Sequence, residues 1–263
     1  MADTKAVAKE LSPVEQLKRV LSAESVQEQL KNALKEEAPL FVASIIDVYS
    51  NDAYLQDCKP SDVVREALKA ATLKLPINKN LGFAWIIPYK EKGVPKPQFQ
   101  MGYKGYIQLA MRTGQYRYIN ADAVYEGEIV YRDKLTGEIR LEDSDSDEVV
   151  GYFAHMETIN GFRKTIYWTK DQMLRHAQKY SKSYHRENSV WKTDFEAMAI
   201  KTMIKALLSK YGIMSVEMMN AFTSDTADDV PFEDQVQGEI EQNANSEVLD
   251  IEAEDPEEEG PEF

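Results

Sequence analysis

Apolar residues near the start of the chain recur at intervals of three and four, which is the spacing of a helix with one buried face. Val26, Leu30 and Leu34 form such a series, and Ser25 with Glu28 has the spacing of a capping box. Apolar residues keep this helical spacing in the segments that follow. The pattern predicts helices over residues 13–50 and 61–75.

Alternation of apolar and polar residues replaces helical spacing in the middle of the chain, where aromatic and β-branched residues are frequent. Residues 83–90 and 96–101 predict a hairpin with a basic tip. Strands resume at Tyr116. We expect Asn160-Gly161 to join the last two strands, because this dipeptide readily adopts the two positive φ angles of a type I′ turn. We therefore expect antiparallel strands here.

Helical spacing interrupts these strands and then follows them. Residues 102–113 predict a short helix that ends at Gly114, the residue type favoured just beyond a helix. Thr169 and Gln172 have capping-box spacing for another helix, and residues 193–211 predict a long one. The predicted fold class is α+β, in which an antiparallel sheet is packed by the long helix and further helices lie at the N-terminus.

Charge is sorted along the chain, so the net charge of −14 describes no part of it. Residues 225–263 hold sixteen acidic residues and no Lys or Arg, and removing them leaves +2. Within that remainder, residues 86–118 carry +5 and residues 163–210 carry +7, whereas residues 119–162 carry −8. A polyanion would therefore meet two basic segments.

Composition disfavours several classes of protein. No run of eighteen apolar residues exists, and the N-terminus lacks the basic and apolar regions of a secretory signal, which predicts a cytosolic protein without a membrane span. Cys58 is the only cysteine and there are three histidines, so we expect no disulfide, no metal site and no other cofactor. No GxxxxGK[ST] motif occurs, so ATP binding through a P-loop is not predicted.

The second basic segment interleaves cations with aromatic residues such as Tyr184 and Trp191. Cations neutralise phosphates and flat rings stack on bases, so this composition is typical of a surface for single-stranded nucleic acid. Lys201 and Lys205 follow one another at spacing four on the long helix and form a stripe that suits an anion. For this pair alone, a solvated helix edge is the alternative.

Two glycines, Gly102 and Gly105, flank Tyr103 and Lys104 where a strand meets a helix. The N–H groups and the dipole at such a helix start favour a phosphate. Close packing of the helix against a strand is the alternative interpretation of these glycines.

At these residues the chain resembles the RecT family of phage-encoded single-strand annealing proteins. The resemblance runs from about residue 60 to residue 212. It is carried by the strings LKLPINKNLGFAWIIPYK (73–90), PQFQMGYKGYIQLAMRTGQY (97–116), YWTKDQMLRHAQKYSKSY (167–184) and WKTDFEAMAIKTMIKALLSKYG (191–212).

The resemblance implies an ATP-independent protein of homologous recombination, not an enzyme, that coats single-stranded DNA as a homo-oligomer and holds the annealed duplex. It also implies a bacterial host cytoplasm, a 5′-to-3′ exonuclease and a single-strand binding protein as partners, and no contact with membranes. From the residues and the resemblance together, we predict DNA contacts at Gln98, Gln100, Tyr103, Lys104, Arg112, Arg117, Lys182, Tyr184, Trp191, Lys192, Lys201 and Lys205.

We expect three regions along the chain. Residues 1–59 form an N-terminal helical region for contacts between subunits, residues 60–223 form the annealing core, and residues 224–263 form a disordered acidic tail. The tail would compete with DNA, recruit a partner or simply keep the protein soluble, and these three roles remain open.

Two other functions remain open from the sequence. A nuclease would need carboxylates around Mg²⁺, for which Asp122, Glu126 and Glu128 are candidates, although carboxylates on an acidic edge are the simpler interpretation. A passive single-strand binding protein would use the same cations and rings as an annealing protein. Faster pairing of complementary strands would distinguish the annealing protein from it.

Overall fold

A computed structural model gives the fold for residues 11–225, apart from residues 182, 188 and 214. The helices are α1 (Pro13–Leu21), α2 (Glu24–Leu34), α3 (Ala38–Ser50), α4 (Ala53–Gln56), α5 (Pro60–Thr72), α6 (Tyr103–Arg112), α7 (Lys170–Tyr180), α8 (Val190–Thr193), α9 (Phe195–Tyr211) and α10 (Val216–Ser224). The strands are β1 (Ala84–Glu91), β2 (Val94–Met101), β3 (Tyr116–Tyr125), β4 (Ile129–Arg132), β5 (Ile139–Leu141), β6 (Val149–Thr158) and β7 (Arg163–Thr169). The predicted α+β class is confirmed. None of the helices in this part of the chain is long and apolar enough to cross a membrane.

The second helix begins at a different residue from the one predicted, close to the end of the first helix. A capping box closes the start of α1, where Ser12 and Glu15 bond to each other's backbone N–H groups. The capping box predicted at Ser25 is wrong, because α2 already begins at Glu24 with Ala23 at its N-cap. Helix α1 ends so close to this point that the new helix starts before the serine.

Helix α5 ends in a left-handed residue that is not glycine. Lys74 has φ of 52°, its N–H donates to the carbonyl of Ala71, and the N–H of Leu75 donates to the carbonyl of Ala70. This pair of hydrogen bonds is the Schellman motif, in which glycine is the usual residue at the left-handed position. The turn directs the chain into the loop before β1.

All strand pairs among the described residues are antiparallel. Strands β1 and β2 form a hairpin, β4 and β5 form another, and the remaining strands form a sheet in the order β3-β6-β7. The two positive φ angles of a type I′ turn occur at Lys92 and Gly93, at the basic tip of the first hairpin.

The turn predicted at Asn160-Gly161 has a different geometry. Of these two residues only Gly161 has a positive φ. The hairpin closes through a three-residue loop in which the N–H of Gly161 donates to the carbonyl of Thr158, and the Asn160 side chain accepts from the N–H of Phe162. Asparagine therefore acts here through its side chain, and a single left-handed residue suffices.

The three-stranded sheet has one buried face and one partly open face. On β6, Tyr152, Ala154 and Met156 are buried where α9 packs across the sheet, as the sequence predicts for the long helix. Their neighbours His155 and Glu157 point to the opposite face, because side chains alternate along a strand. This second face positions part of the candidate interface.

Candidate nucleic-acid interface

The two lysines predicted to form a stripe that suits an anion on α9 are largely buried. The Lys201 side chain is 7% exposed and that of Lys205 is 16% exposed, because α9 lies between the three-stranded sheet and α6. Their Nζ atoms lie 3.3 and 4.0 Å from one carboxylate oxygen of Asp225. The alternative of a solvated helix edge is therefore wrong, and the stripe does not lie on an open surface.

Asp225 is the centre of this cluster, although the sequence assigns it to the disordered tail. Its side chain has no exposed surface. The Tyr106 hydroxyl donates to Oδ2 at 2.6 Å, and the N–H of Met101 donates to Oδ1 at 3.1 Å. The tail prediction is wrong for this residue, and residues 226–263 lie outside the described part of the chain. The apolar series Met218, Ala221 and Phe222 just before it, all buried, was the available signal that the fold extends this far.

A second buried carboxylate accepts a hydrogen bond from the same outer edge of β2. The N–H of Phe99 donates to Glu66 at 2.9 Å, two residues before the N–H that bonds to Asp225. Glu66 also pairs with Lys69 at 2.8 Å. Side-chain carboxylates thus replace a neighbouring strand at this edge.

Gln98 and Gln100 alternate with the buried residues of β2. They are half-buried, and they pair across the hairpin with Ile87 and Trp85. The two amides therefore share one face of the hairpin with these apolar side chains.

The open face of the three-stranded sheet carries a buried carboxylate that holds two exposed arginines. Glu157 is only 2% exposed at its side chain, and it pairs with Arg117 at 2.6 Å and Arg163 at 2.7 Å. The Tyr118 hydroxyl also donates to Glu157, at 2.8 Å. This hydrogen bond and the two guanidinium groups lower the pKa of Glu157, so it is ionised at neutral pH.

Glu157, Tyr118 and Arg163 are absent from the contacts we predict from sequence. The signal that could have found them is the hairpin itself, since Glu157 stands directly opposite Arg163 in the β6-β7 register. Opposite charges facing each other across two strands indicate a pair.

An exposed aromatic side chain lies beside these arginines. The Tyr118 ring is 44% exposed and stacks on His155 with 5.6 Å between ring centroids. Nδ1 of His155 lies 2.7 Å from the Thr165 hydroxyl, and burial lowers the pKa of His155. The histidine is therefore neutral at pH 7 and supports the tyrosine ring from one side.

Arg112 is exposed, but its guanidinium is bonded to the protein's own backbone. Its Nη1 and Nη2 donate to the carbonyls of Leu73 and Lys74 at 2.7 and 2.8 Å. These carbonyls follow the end of α5, where a cation also opposes the negative end of the helix dipole. Arg112 therefore holds the loop after α5.

The strand-to-helix junction at α6 is close-packed, as the alternative interpretation of its glycines predicts. A Cβ at Gly102 would lie 2.2 Å from the carbonyl oxygen of Gly82, and one at Gly105 would lie 2.4 Å from that of Phe83. The N–H of Gly102 donates to Phe83. Among their neighbours, Tyr103 is half-buried against the core and Lys104 is exposed.

The remaining predicted contacts lie in and before α8. Trp191 is 3% exposed and packs edge-on against Phe195, so its ring is not placed as an open stacking surface. Tyr184 is half-buried and Lys192 is exposed. Lys182 lies outside the described residues.

Several exposed cations have no carboxylate within 4.0 Å in the part of the chain that the structure describes. These are Lys104, Lys170, Arg175, Lys179, Arg186 and Lys192. Most belong to the basic segment 163–210, which therefore keeps its charge available to an anion.

Two of the three carboxylates considered for a nuclease accept hydrogen bonds from nearby backbone N–H groups. Asp122 accepts from the N–H of Ala123, and Glu128 accepts from the N–H of Tyr125. Over the described residues, no three His, Cys, Asp or Glu side chains are grouped to hold a metal ion. Burial raises the pKa of Cys58 to about 11, so this thiol is protonated at neutral pH.

Comparison with known proteins agrees with the resemblance seen in the sequence. The profile of the RecT family matches residues 40–243. "Uncharacterized protein YqaK" of Bacillus subtilis (strain 168) is 50% identical over 215 residues, which cover 80% of this chain and 73% of YqaK. "Protein RecT" of Escherichia coli (strain K12) is 28% identical over 183 residues, which cover 65% of each chain. The family profile covers more than half of the chain, and the chain therefore belongs to the RecT family.

Proposed function

We propose that this protein coats single-stranded DNA as a homo-oligomer, pairs it with a complementary strand without ATP, and holds the annealed duplex. Membership of the RecT family supports a role in recombination by single-strand annealing. Members of this family are annealing proteins rather than classical enzymes. The finer steps, coating and pairing, are our proposal.

The observation that carries the proposal is the arginine pair on the open sheet face. Glu157 engages Nη1 of Arg117 and Nε of Arg163, which leaves further donors on both guanidinium groups directed away from it. Both side chains are more than half exposed, at 57% and 67%. The exposed ring of Tyr118 lies next to them. Fixed cations beside a ring suit a phosphate and its base.

Annealing requires that phosphates be neutralised while base edges stay free to pair. Contacts to the backbone satisfy this requirement, because they carry no sequence information. We propose that the exposed cations Lys104 and Lys192 also contact phosphates. In the same proposal Tyr103 and Tyr184 contact bases, and Gln98 and Gln100 donate hydrogen bonds to the strand.

The test removes charge from the arginine pair and keeps hydrogen-bonding groups beside Glu157. We expect Arg117→Gln with Arg163→Gln to weaken binding of oligo(dT) and of mixed sequences alike. The slope of log K against log salt should fall by about 0.7 for each phosphate that the variant no longer neutralises, or about 1.4 for two. Arg65→Gln is the matched control, because Arg65 is as exposed as Arg163, at 67%.

Annealing itself is measured with complementary oligonucleotides whose fluorescence is quenched on pairing, in the absence of any nucleotide triphosphate. We expect the wild-type chain to accelerate pairing and the arginine double variant to lose most of the acceleration. Binding without acceleration would identify a passive single-strand binding protein instead. Release of nucleotides in Mg²⁺ would identify a nuclease.

Partners follow from the same proposal. A single strand must be generated before it is annealed, so we propose a 5′-to-3′ exonuclease and a single-strand binding protein as partners. Self-association is checked by electron microscopy of the protein with one strand and then with both. A protein that stays monomeric on DNA would contradict the homo-oligomer.

A further inference from the structure

Four hydrogen-bond donors from three elements converge on the carboxylate of Asp225. They are the N–H of Met101 at the end of β2, the hydroxyl of Tyr106 on α6, and the ammonium groups of Lys201 and Lys205 on α9. Asp225 itself comes directly after α10 and is contributed by the C-terminal segment. The donors thus belong to the core, and the acceptor belongs to the segment that leads into the acidic tail.

We propose that these four donors form a phosphate site of the DNA interface, and that Asp225 occupies this site as an internal competitor until single-stranded DNA displaces it. The inference rests on the proposed function, because the displacing phosphate is that of the annealed strand. In this proposal Lys201 and Lys205 contact DNA after all, although their side chains are buried while Asp225 occupies the site.

Charge and donor type favour the exchange. A phosphodiester carries the same single negative charge as a carboxylate, so replacing Asp225 by a phosphate leaves the charge of the cluster unchanged. Backbone N–H, phenol and ammonium groups are all donors that bind phosphate oxygens. The two lysines would not be left buried without an anion, which would be the costly alternative.

The C-terminal segment is short enough to be displaced as a unit. Helix α10 has nine residues, and Met218, Ala221 and Phe222 are the ones it buries. The chain before it is fixed by the Tyr116 hydroxyl, which bonds to both the N–H and the carbonyl of Ile213. A short helix that follows a fixed point is a segment able to open locally, and opening this one requires Met218, Ala221 and Phe222 to leave the core.

The sequence after Asp225 suits the segment to competition with DNA. Fifteen further acidic residues follow Asp225, and no Lys or Arg occurs among residues 226–263. Asp225 is covalently tethered to the core, so it is present at the site at a high effective concentration. Competition by the tail, which the sequence leaves open among three roles, thereby acquires a defined contact.

Glu66 provides a matched control for a purely structural carboxylate. Its side chain is 9% exposed, it accepts from the N–H of Phe99 on the same strand edge, and it pairs with a lysine. It lies within α5, however, and belongs to no displaceable segment. If Asp225 only completes the strand edge, Asp225→Asn and Glu66→Gln should behave alike.

The first experiment measures binding of fluorescent oligo(dT) to the full chain at about 50 mM salt. We expect Asp225→Asn to tighten binding about tenfold, within the usual range of coupling between sites, and to tighten it less at high salt. Glu66→Gln should leave affinity unchanged. In a Lys201→Gln, Lys205→Gln background, Asp225→Asn should give no gain. Equal or weaker binding by a folded Asp225→Asn variant, or a gain that persists without the lysines, would overturn the inference.

A second experiment needs no variant and decides the matter if Asp225→Asn does not fold. Hydrogen exchange of the wild-type chain is measured with and without oligo(dT). We expect the amides of α10 to exchange faster when DNA is bound, while those of α9 exchange no faster. Slower or unchanged exchange in α10 would show that Asp225 stays in place. If the wild type anneals strands but both experiments give the contrary results, only this inference is wrong and the proposed function stands.

Discussion

Arg112 is predicted from the sequence to contact a phosphate, whereas the structure indicates that it has a structural role. A substitution at Arg112 can distinguish these two roles. Its guanidinium donates to the carbonyls of Leu73 and Lys74 just after α5. Replacing Arg112 by alanine leaves both carbonyls without this donor. We expect the main effect to be on the free energy of unfolding and not on DNA affinity.

The magnitude follows from the two hydrogen bonds. A hydrogen bond to a charged group contributes about 1.5–3 kcal/mol where it is shielded from water. One of these two bonds is part-buried and the other is exposed, so water replaces much of the second. We therefore expect Arg112→Ala to lower the free energy of unfolding by about 1–2 kcal/mol, or roughly 2–8 °C in Tm for a domain of this size.

Urea denaturation and the salt dependence of oligo(dT) binding are measured on the same preparations. Arg112→Lys keeps the charge but cannot bond both carbonyls in the same way, so it should recover only part of the stability. Arg65→Ala on α5 is the control, since this exposed pair with Asp62 should contribute less than about 1 kcal/mol. Unchanged stability together with a salt slope lower by about 0.7 would refute the structural role and identify Arg112 as a phosphate contact.

Three further predictions concern stability. Because burial lowers the pKa of His155 below its ordinary 6.5, the unfolded chain binds a proton more readily, so stability should fall as pH drops below about 6.5, and His155→Gln should flatten this slope in denaturation at several pH values. Lys74→Gly should raise the free energy of unfolding by about 0.5–1 kcal/mol, because glycine adopts the left-handed conformation without steric cost; no gain would contradict that reason. Gly102→Ala should destabilise by about 1–3 kcal/mol in thermal unfolding, because its Cβ would meet the Gly82 carbonyl at 2.2 Å, and a wild-type Tm would contradict the packing.

Features that depend on neighbouring residues could be predicted from the sequence. The capping box at Thr169 and Gln172 is present, α6 ends just before Gly114 with its positive φ, and α9 follows the predicted long helix. The α+β class follows from such local patterns, because helix and strand periodicities differ. The family resemblance likewise lies in local strings of sequence.

Predictions from local sequence patterns were wrong where neighbouring residues could form the same cap or turn in more than one way. Ser25 would cap a helix, but α2 starts one residue earlier. Asn160-Gly161 permits a type I′ turn, but β6 and β7 are joined by a longer loop. The two positive φ angles of a type I′ turn occur in another hairpin, at Lys92-Gly93. Strand register, which depends on distant packing, decides between such turns.

The class of the fold, the sorting of charge and the family are all properties of residue type and spacing, so they can be inferred without coordinates. Which charges face solvent is a property of the packed chain. Packing places Lys201 beside Asp225, and it holds Arg117 against Glu157, forty residues away in sequence. Such pairs form between segments that are far apart in the chain, and burying a charge requires a partner that no local pattern specifies.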